Sequence, residues 1–292
     1  MFKLLNKLII SRDVKRLEIL APDIARRAKP AQFVMMAAEE KSEWVPLAIA
    51  DADAAKGTIS VIFREQGAAT RHLGELSVPG TIFAVVGPLG RPAVIETHGT
   101  VVAVSTGIGT AAMLPLCRAL RKGSNRVIGV IGAKTKKDVL LESQMRLACH
   151  KIFIATEDGS FDRKGKPRQV LEDVLKKEDV ALVYAAGSTE MMEEMAVLTK
   201  ARGISLRVLL YTPMVCGVGI CGSCRTEVDR QIVLTCQHGP VFDGHKVNYE
   251  NLKIRWQTFV AAREAGAQQL AQERAKGFGG FWSRLMEDTE EK

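Results

Sequence analysis

Four of the chain's six cysteines fall within 21 residues, in the run Cys216-Gly-Val-Gly-Ile-Cys221-Gly-Ser-Cys224 and then, after eleven intervening residues, Cys236. No other stretch constrains the fold as much. Thiols so spaced reach one place only if loop backbone carries them there. The spacing C-x4-C-x2-C…C is the plant-type pattern for a [2Fe–2S] cluster, which needs four thiolates converging on two irons. Gly217, Gly219 and Gly222 suit that task, because a loop wrapped around a cluster needs unusual dihedrals and close approach of amide to sulfur. A structural zinc site is the alternative. Such sites usually pair their ligands as two C-x2-C units, and only one such pair is present, so the iron–sulfur reading is favoured. Cys117, in an apolar helical stretch, and Cys149, ahead of His150, read as ordinary buried thiols.

The cysteine run sits late in a chain of 292 residues, long enough for two or three domains with proper cores. From about 8 to 97 the segments are short, β-branched and punctuated by turns, as in Gly57-Thr-Ile-Ser-Val-Ile-Phe63 and Thr81-Ile-Phe-Ala-Val-Val86. That rhythm predicts an antiparallel barrel or sandwich. Near 99 the rhythm changes. Strands are expected at 100–104, 125–131, 151–155 and 180–185, alternating with helices at about 110–122, 138–147 and 190–200. Apolar strands alternating with helices imply a parallel sheet covered on both faces. The fold class is therefore β followed by α/β: an antiparallel β-barrel over 1–98, a parallel-sheet nucleotide-binding domain over 99–210, a small cysteine-rich domain over 211–247 and a helical tail over 248–292. In the tail, Leu252, Trp256, Phe259 and Val260 keep a helical spacing to about 276. A glycine break at 277–280 and Trp282 follow. Trp256, Phe259 and Trp282 are candidate docking anchors, with packing on the protein's own surface as the plainer alternative.

A nucleotide site is suggested where the strand ending at Thr106 enters Gly107-Ile108-Gly109-Thr110-Ala-Ala112 and a helix. The G-x-G-x-x-A pattern between strand and helix can set a pyrophosphate against free amides at a helix N-terminus. The usual companion, an acidic residue about 20 positions on, is missing. Lys134, Lys136 and Lys137 stand there instead, suited either to a 2′-phosphate or to a solvated helix start. Gly187 follows the strand at 180–185 in a second glycine turn. Two such turns at the carboxyl ends of parallel strands outline one crevice.

Charge and composition exclude other classes. The net charge is +8, but basic residues are interspersed with acidic ones and aromatics are only 5%, so no nucleic-acid surface stands out. The five histidines have no ligand spacing. There is no Ser/His/Asp pattern, and no side chain is assigned a catalytic acid–base role. Lys3, Lys7, Arg12, Lys15 and Arg16 argue against a signal peptide. The longest uncharged run, 99–117, contains Gly107, Gly109 and Pro115 and reads as strand, turn and helix rather than a membrane span. A cytoplasmic setting, where thiols stay reduced, is expected.

A barrel, then a nucleotide-type sheet, then a ferredoxin-like cysteine run resembles the ferredoxin–NADP+ reductase superfamily. Over roughly residues 8–250 the chain is similar to one branch of it. That branch holds the electron-transfer subunit of dihydroorotate dehydrogenase B and the small subunit of NADH-dependent reduced ferredoxin:NADP+ oxidoreductase, also called sulfide dehydrogenase subunit beta. The stretches that carry the likeness are Lys29-Pro-Ala-Gln-Phe-Val34, Val45-Pro-Leu-Ala-Ile49, Ile62-Phe-Arg64, Gly87-Pro-Leu-Gly90, Ser105-Thr-Gly-Ile-Gly109, Glu157-Asp-Gly-Ser160, the cysteine run and Phe242-Asp-Gly-His-Lys-Val247. The last looks more like the ferredoxin:NADP+ oxidoreductase subunit.

The resemblance implies FAD on the barrel, NAD(H) or NADP(H) as substrate in the α/β domain, and a [2Fe–2S] cluster near the flavin. By position the flavin segments would be Val45, Pro46, Leu47 and Ala48; Ile62, Phe63 and Arg64; and Ala69 and Thr70. Many relatives carry Arg before the proline and Ser or Thr two residues after it. Val45 and Ala48 stand there here, so the phosphates must be gripped elsewhere, with Arg64 or Thr70 as candidates. The implied partner is a larger subunit with its own flavin and [4Fe–4S] clusters, and through it ferredoxin, in an electron-bifurcating complex. Service to a dihydroorotate dehydrogenase is the alternative. A zinc-stabilised binding adaptor is the more distant one.

Overall fold

The structure, a computed structural model, describes residues 1–262, 264 and 265. Met1–Tyr249 forms one compact unit and carries both large sheets. The first half runs β1 (Phe2–Ser11), β2 (Val14–Leu20), α1 (Pro22–Arg27), β3 (Phe33–Ala37), β4 (Val45–Asp53), β5 (Thr58–Arg64), α2 (Ala68–Glu75), β6 (Gly80–Ile82) and β7 (Ala84–Leu89). All pairings are antiparallel, in the order β6-β1-β2-β5-β4-β3-β7. The two outer strands of this strip, β6 and β7, are separated in sequence by Phe83 alone, so the strip has to curl back on itself. Its concave side is filled by Leu17, Ile19, Val34, Met36, Ile59, Val61, Phe63, Leu73 and Ile82, all buried. At roughly 1.5–3 kcal/mol per fully buried side chain of this kind, that interior is the main stabilising term of the half-barrel.

β1 was not anticipated by the sequence reading. Lys3 and Lys7 break its apolar pattern, but Lys7 Nζ donates to the carbonyls of Gly74 (2.9 Å) and Leu76 (2.6 Å), closing the end of α2.

The second half runs β8 (Thr100–Thr106), α3 (Gly109–Lys122), β9 (Arg126–Ala133), α4 (Glu142–Ala148), β10 (Lys151–Thr156), β11 (Arg163–Lys164), α5 (Pro167–Lys177), β12 (Val180–Ala186), α6 (Thr189–Lys200), β13 (Ser205–Leu209), β14 (Arg225–Val228), β15 (Gln231–Leu234), α7 (Thr235–His238) and β16 (Val241–Asp243). The sheet order is β11-β10-β9-β8-β12-β13-β16, parallel except for β16. The chain moves outward from β8 through β9 to β10, then returns to the other side of β8 with β12. Right-handed crossovers in opposite directions place α3 and α4 on one face and α5 and α6 on the other. The order therefore reverses between β8 and β12, where the Thr106 and Gly187 turns emerge.

The helix expected over 138–147 is shorter. Lys136–Asp138 is a single 3-10 turn, tied by the Asp138 carboxylate accepting from the amide (3.2 Å) and hydroxyl (3.0 Å) of Thr135. Leu141 then takes a left-handed φ of 58°, which redirects the chain before α4. The cysteine-rich segment, which shows no periodicity in sequence, contains the hairpin β14–β15 and the short helix α7.

From Glu250 a second unit begins. Its residues 250–262 are helical, and the rings of Trp256 and Phe259 meet edge to face at 5.9 Å. The rest of the helix expected to 276, the glycine break and Trp282 lie outside the described residues. Among the described residues no helix is long and apolar enough to cross a membrane.

The segment joining the two sheets, 90–99, has no regular structure and is pinned instead by Asn125, which is only 2% exposed. Asn125 Nδ2 donates to the carbonyls of Glu96 (2.9 Å), Leu120 (3.0 Å) and Gly123 (3.2 Å), and its Oδ1 accepts from His98 N (2.7 Å). Asn125→Ala leaves several buried backbone groups unpaired and is expected to cost about 2–4 kcal/mol in urea unfolding. A change within about 0.5 kcal/mol, the range of an ordinary surface substitution, contradicts the pinning role.

Candidate redox centre and nucleotide crevice

The loop after β13, the start of β14 and α7 carry the four cysteines. Cys224 and Cys236 are buried, Cys216 is half-buried and Cys221 is exposed. They fall into two pairs: Cys216 Sγ accepts from Cys221 N at 3.4 Å, and Cys224 and Cys236 share one buried cluster. Among the described residues the side chains do not close into a group of three or more metal ligands. A two-iron cluster takes two ligands on each iron, so two thiol pairs suit it. Burial pushes the Cys236 thiol up to about 12, helped by Cys224. Partial burial also works to raise Cys221, but hydrogen bonds from the Ser223 hydroxyl and amide and from Cys216 bring it down to about 6. At neutral pH Cys221 is thus already a thiolate, the form that binds metal.

Three glycines of the loop hold left-handed φ values: Gly217 at 70°, Gly219 at 86° and Gly222 at 69°. At Gly217 a Cβ would also stand 2.4 Å from Met35 Cγ. The hydroxyls of Thr212, Thr226 and Thr235 flank the loop in sequence, are buried and have no partner among the described residues. Unused donors beside such a loop fit a group whose sulfurs accept hydrogen bonds.

The cysteine loop packs on β3, where Phe33 and Met35 form one buried cluster with Met214, Cys224 and Cys236. Across β3 in the sheet lies β4, with Phe33 opposite Ala48 and Met35 opposite Pro46. β4 pairs with β5 only from Ile49 onward, and β5 pairs with β4 only up to Val61. Val45–Ala48 and Ile62–Arg64 therefore do not pair with each other, leaving a notch between two segments each laddered only on its far side, to β3 and to β2. The mouth of α2, with Ala69 and Thr70, follows directly after β5. A planar ring system with hydrogen-bonding edges fits between such strands, which satisfies the requirement of a flavin.

The side chains suggested for the phosphates are otherwise engaged. Arg64 is ion-paired with Asp13. The Thr70 hydroxyl accepts from the amides of Gln66 (3.0 Å) and Gly67 (3.1 Å) and donates to the Gly67 carbonyl (3.1 Å). Thr70 shapes the turn. The first-turn amides of α2, at Ala68 and Ala69, have no intrahelical acceptor and are the groups left for an anion.

At the other sheet the two glycine turns touch. Ser188 N donates to Thr106 Oγ1 at 3.3 Å. A Cβ on Gly109 would fall 2.4 Å from the Ala186 carbonyl oxygen, and one on Gly187 would fall 2.0 Å from Thr106 Oγ1. The Thr110 hydroxyl is buried and donates to Ser105 Oγ at 3.2 Å, fixing the first turn of α3. Thr106, Gly107, Ile108, Gly109, Thr110 and Gly187 thus share one crevice at the point where the strand order reverses.

Acidic residues do stand near the end of β9, carried there by a different strand. Glu157 N and Asp158 N donate to the carbonyls of Ala133 (3.1 Å) and Lys134 (3.2 Å), so two exposed carboxylates after β10 lie beside the end of β9. The sequence signal was the Glu157-Asp-Gly-Ser160 stretch, but nothing local says which strand end it borders. Lys134, Lys136 and Lys137 are exposed, and Lys136 Nζ stands 5.0 Å above the Phe161 ring.

Residues 212–248 match the family described as the iron-sulfur cluster binding domain of dihydroorotate dehydrogenase B. A dihydroorotate dehydrogenase B electron transfer subunit homolog from Thermotoga maritima is 32% identical over 253 residues, covering 87% of this chain and 89% of that one. The dihydroorotate dehydrogenase B (NAD(+)) electron transfer subunit of Desulforamulus reducens is 30% identical over 256 residues, covering 85% and 97%. The solved NADH-dependent reduced ferredoxin-NADP oxidoreductase, studied for flavin-based electron bifurcation, superposes with a TM-score of 0.87 at 29% identity. It covers 92% of this chain and 98% of its own.

Two glycine substitutions separate the sites. Gly217→Ala is expected to lower bound iron severalfold, read by metal analysis, without changing nucleotide binding. Gly109→Ala is expected to weaken nucleotide binding about tenfold or more, read by fluorescence titration, while iron content stays at the wild-type level. Loss of both properties in either variant contradicts the separation.

Proposed function

The chain belongs to the family of dihydroorotate dehydrogenase B electron-transfer subunits, and on that premise we propose that it draws electrons from a reduced nicotinamide dinucleotide and delivers them singly to a larger partner subunit. The observation that carries this reading is the shared border at β3, with the cysteine loop packed on Phe33 and Met35 and the β4 segment paired to the same two residues. When bound, a flavin accepts two electrons as a hydride and passes them on one at a time, which links nicotinamide chemistry to an iron–sulfur cluster.

The chain's own residues position the reactants. The crevice of Thr106–Thr110 and Gly187 would hold the dinucleotide, with the first turn of α3 offered to its pyrophosphate and Glu157 and Asp158 to its ribose. Val45–Ala48 and Ile62–Arg64 would hold FAD, with the α2 amides offered to its phosphates. Cys216, Cys221, Cys224 and Cys236 would hold the [2Fe–2S] cluster. The bound groups would supply the hydride chemistry themselves, so no side chain has to give or take a proton. Six free cysteines among the described residues suit a reducing, cytoplasmic setting.

For the partner, we favour a larger subunit with its own flavin and [4Fe–4S] clusters, in a complex that bifurcates electrons between NAD(H), NADP(H) and ferredoxin. The structural likeness to the ferredoxin-NADP oxidoreductase, with a TM-score of 0.87 over 92% of the chain, supports this reading. Service to a dihydroorotate dehydrogenase is the second reading, carried by the names of the relatives. Anaerobic co-purification from the native source separates them. A partner rich in iron and sulfide is expected, whereas a partner carrying FMN and no [4Fe–4S] cluster overturns the first reading in favour of the second. NADH is expected to bleach the flavin absorbance faster than NADPH, and the reverse order assigns the 2′-phosphate to the lysines at 134–137.

A further inference from the structure

A cleft of about 340 Å³ lies between the segment joining the two sheets and one face of the parallel sheet, with His238 of α7, the helix that carries Cys236, at its border. Its lining includes none of the crevice, notch or cysteine residues. The strand register builds its floor. Leu182 pairs with Ser205, Tyr184 with Arg207 and Leu209 with Val241. Strand alternation therefore puts Leu182, Tyr184, Ser205, Arg207 and Val241 on one face. The opposite wall is the joining segment, with Arg91, Pro92, Ala93, Val94, Glu96 and His98.

That wall is fixed although it has no regular structure. Arg91 N donates to the Gly239 carbonyl at 2.7 Å and Ala93 N to the Pro30 carbonyl at 3.0 Å. The far end is held by the Asn125 bonds to Glu96 and His98. A cleft of this size is at the small end of the range for organic ligands.

Its polar groups are uncommitted. Tyr184 is 3% exposed, and its hydroxyl has no hydrogen-bond partner among the described residues. Tyr184 lines the cleft together with Arg207 and Glu96. Neither the Arg91 nor the Arg207 guanidinium makes an ion pair among the described residues. Asp243, opposite Arg207 on β16, spends one carboxylate oxygen on the His245 amide at 3.1 Å. Glu96 stands 3.9 Å from His98 Nε2. Within the lining two guanidiniums stand against one carboxylate, Asp243 lying outside it beside Arg207, so the lining itself carries an excess of positive charge, and Pro92, Ala93, Val94, Leu182 and Val241 give the same space an apolar wall.

We propose that this cleft is a binding site for a small organic carboxylate with an apolar body, its carboxylate held by Arg91, Arg207 and the Tyr184 hydroxyl. A guanidinium offers a carboxylate paired donors, and a monoanion balances the excess charge. The site is independent of the electron-transfer reading, since it uses none of its residues.

The test uses the full chain with its cofactors and benzoate as the probe, followed by ligand-observed NMR and calorimetry. Saturable benzoate binding is expected, with benzamide, the neutral isostere, and acetate, which lacks the body, each at least about tenfold weaker. Arg207→Gln and, separately, Arg91→Gln are expected to weaken benzoate about tenfold, and Tyr184→Phe severalfold, with flavin and cluster absorbance unchanged. The proposal is overturned if benzoate shows no saturable binding, if benzamide binds equally well, if inorganic phosphate binds more tightly than benzoate, or if both arginine variants bind benzoate as the wild type does.

Discussion

The register of β3 against β4 governs where the two redox groups of this chain can sit. Phe33 and Met35 are opposite Ala48 and Pro46 on one side and pack on the cysteine loop through the buried cluster with Met214, Cys224 and Cys236. A slip of one residue would turn every side chain of β3 to its other face. The loop would lose its footing, and the segment that edges the notch would lose its partner. Adjacent strands lie about 4.8 Å apart, so the two sites are neighbours by construction. The departure of β4 from β5 at Ile49 completes the arrangement, because it frees backbone on the notch side while β3 holds the other side.

The cysteine loop shows what such placement costs. Cys224 and Cys236 are buried, and burial makes the Cys236 thiol resist ionisation, while hydrogen bonds pull Cys221 at the surface toward thiolate. Three glycines hold left-handed dihedrals that side chains would strain, and three buried threonine hydroxyls flanking the loop in sequence have no partner among the described residues. These features suit a group that binds thiolates and accepts hydrogen bonds. The glycine crevice follows the same logic at the second sheet. The close approaches at Gly109 and Gly187 leave room for backbone but for no side chain, and bring two turns from distant sequence into one wall.

What could be read in the sequence tracks how local each determinant is. The cysteine spacing and the G-x-G turn are local patterns, and the structure sets the first on a loop and the second at a strand–helix turn. The strand–helix alternation placed β8, β9, β10 and β12 because apolar runs of that length have few other uses. β1 was hidden by Lys3 and Lys7, whose role depends on α2, more than 60 residues away. α5 and β13 were passed over because polar and apolar residues mix in both. The notch at β4 and β5 came only from family likeness, since a divergence between strands leaves no mark on either strand alone. The carboxylates near the end of β9 were sought on the wrong strand for the same reason: Glu157 and Asp158 arrive from β10.

The account stands or falls on whether electrons entering at the crevice reach the cysteine loop within this one chain. The direct measurement is low-temperature electron paramagnetic resonance of the isolated chain, purified with its cofactors and mixed with NADH without oxygen. The account predicts the signal of a reduced [2Fe–2S] cluster, appearing together with loss of flavin absorbance. Flavin bleaching with no iron–sulfur signal, or stoichiometric zinc in place of iron, would contradict it.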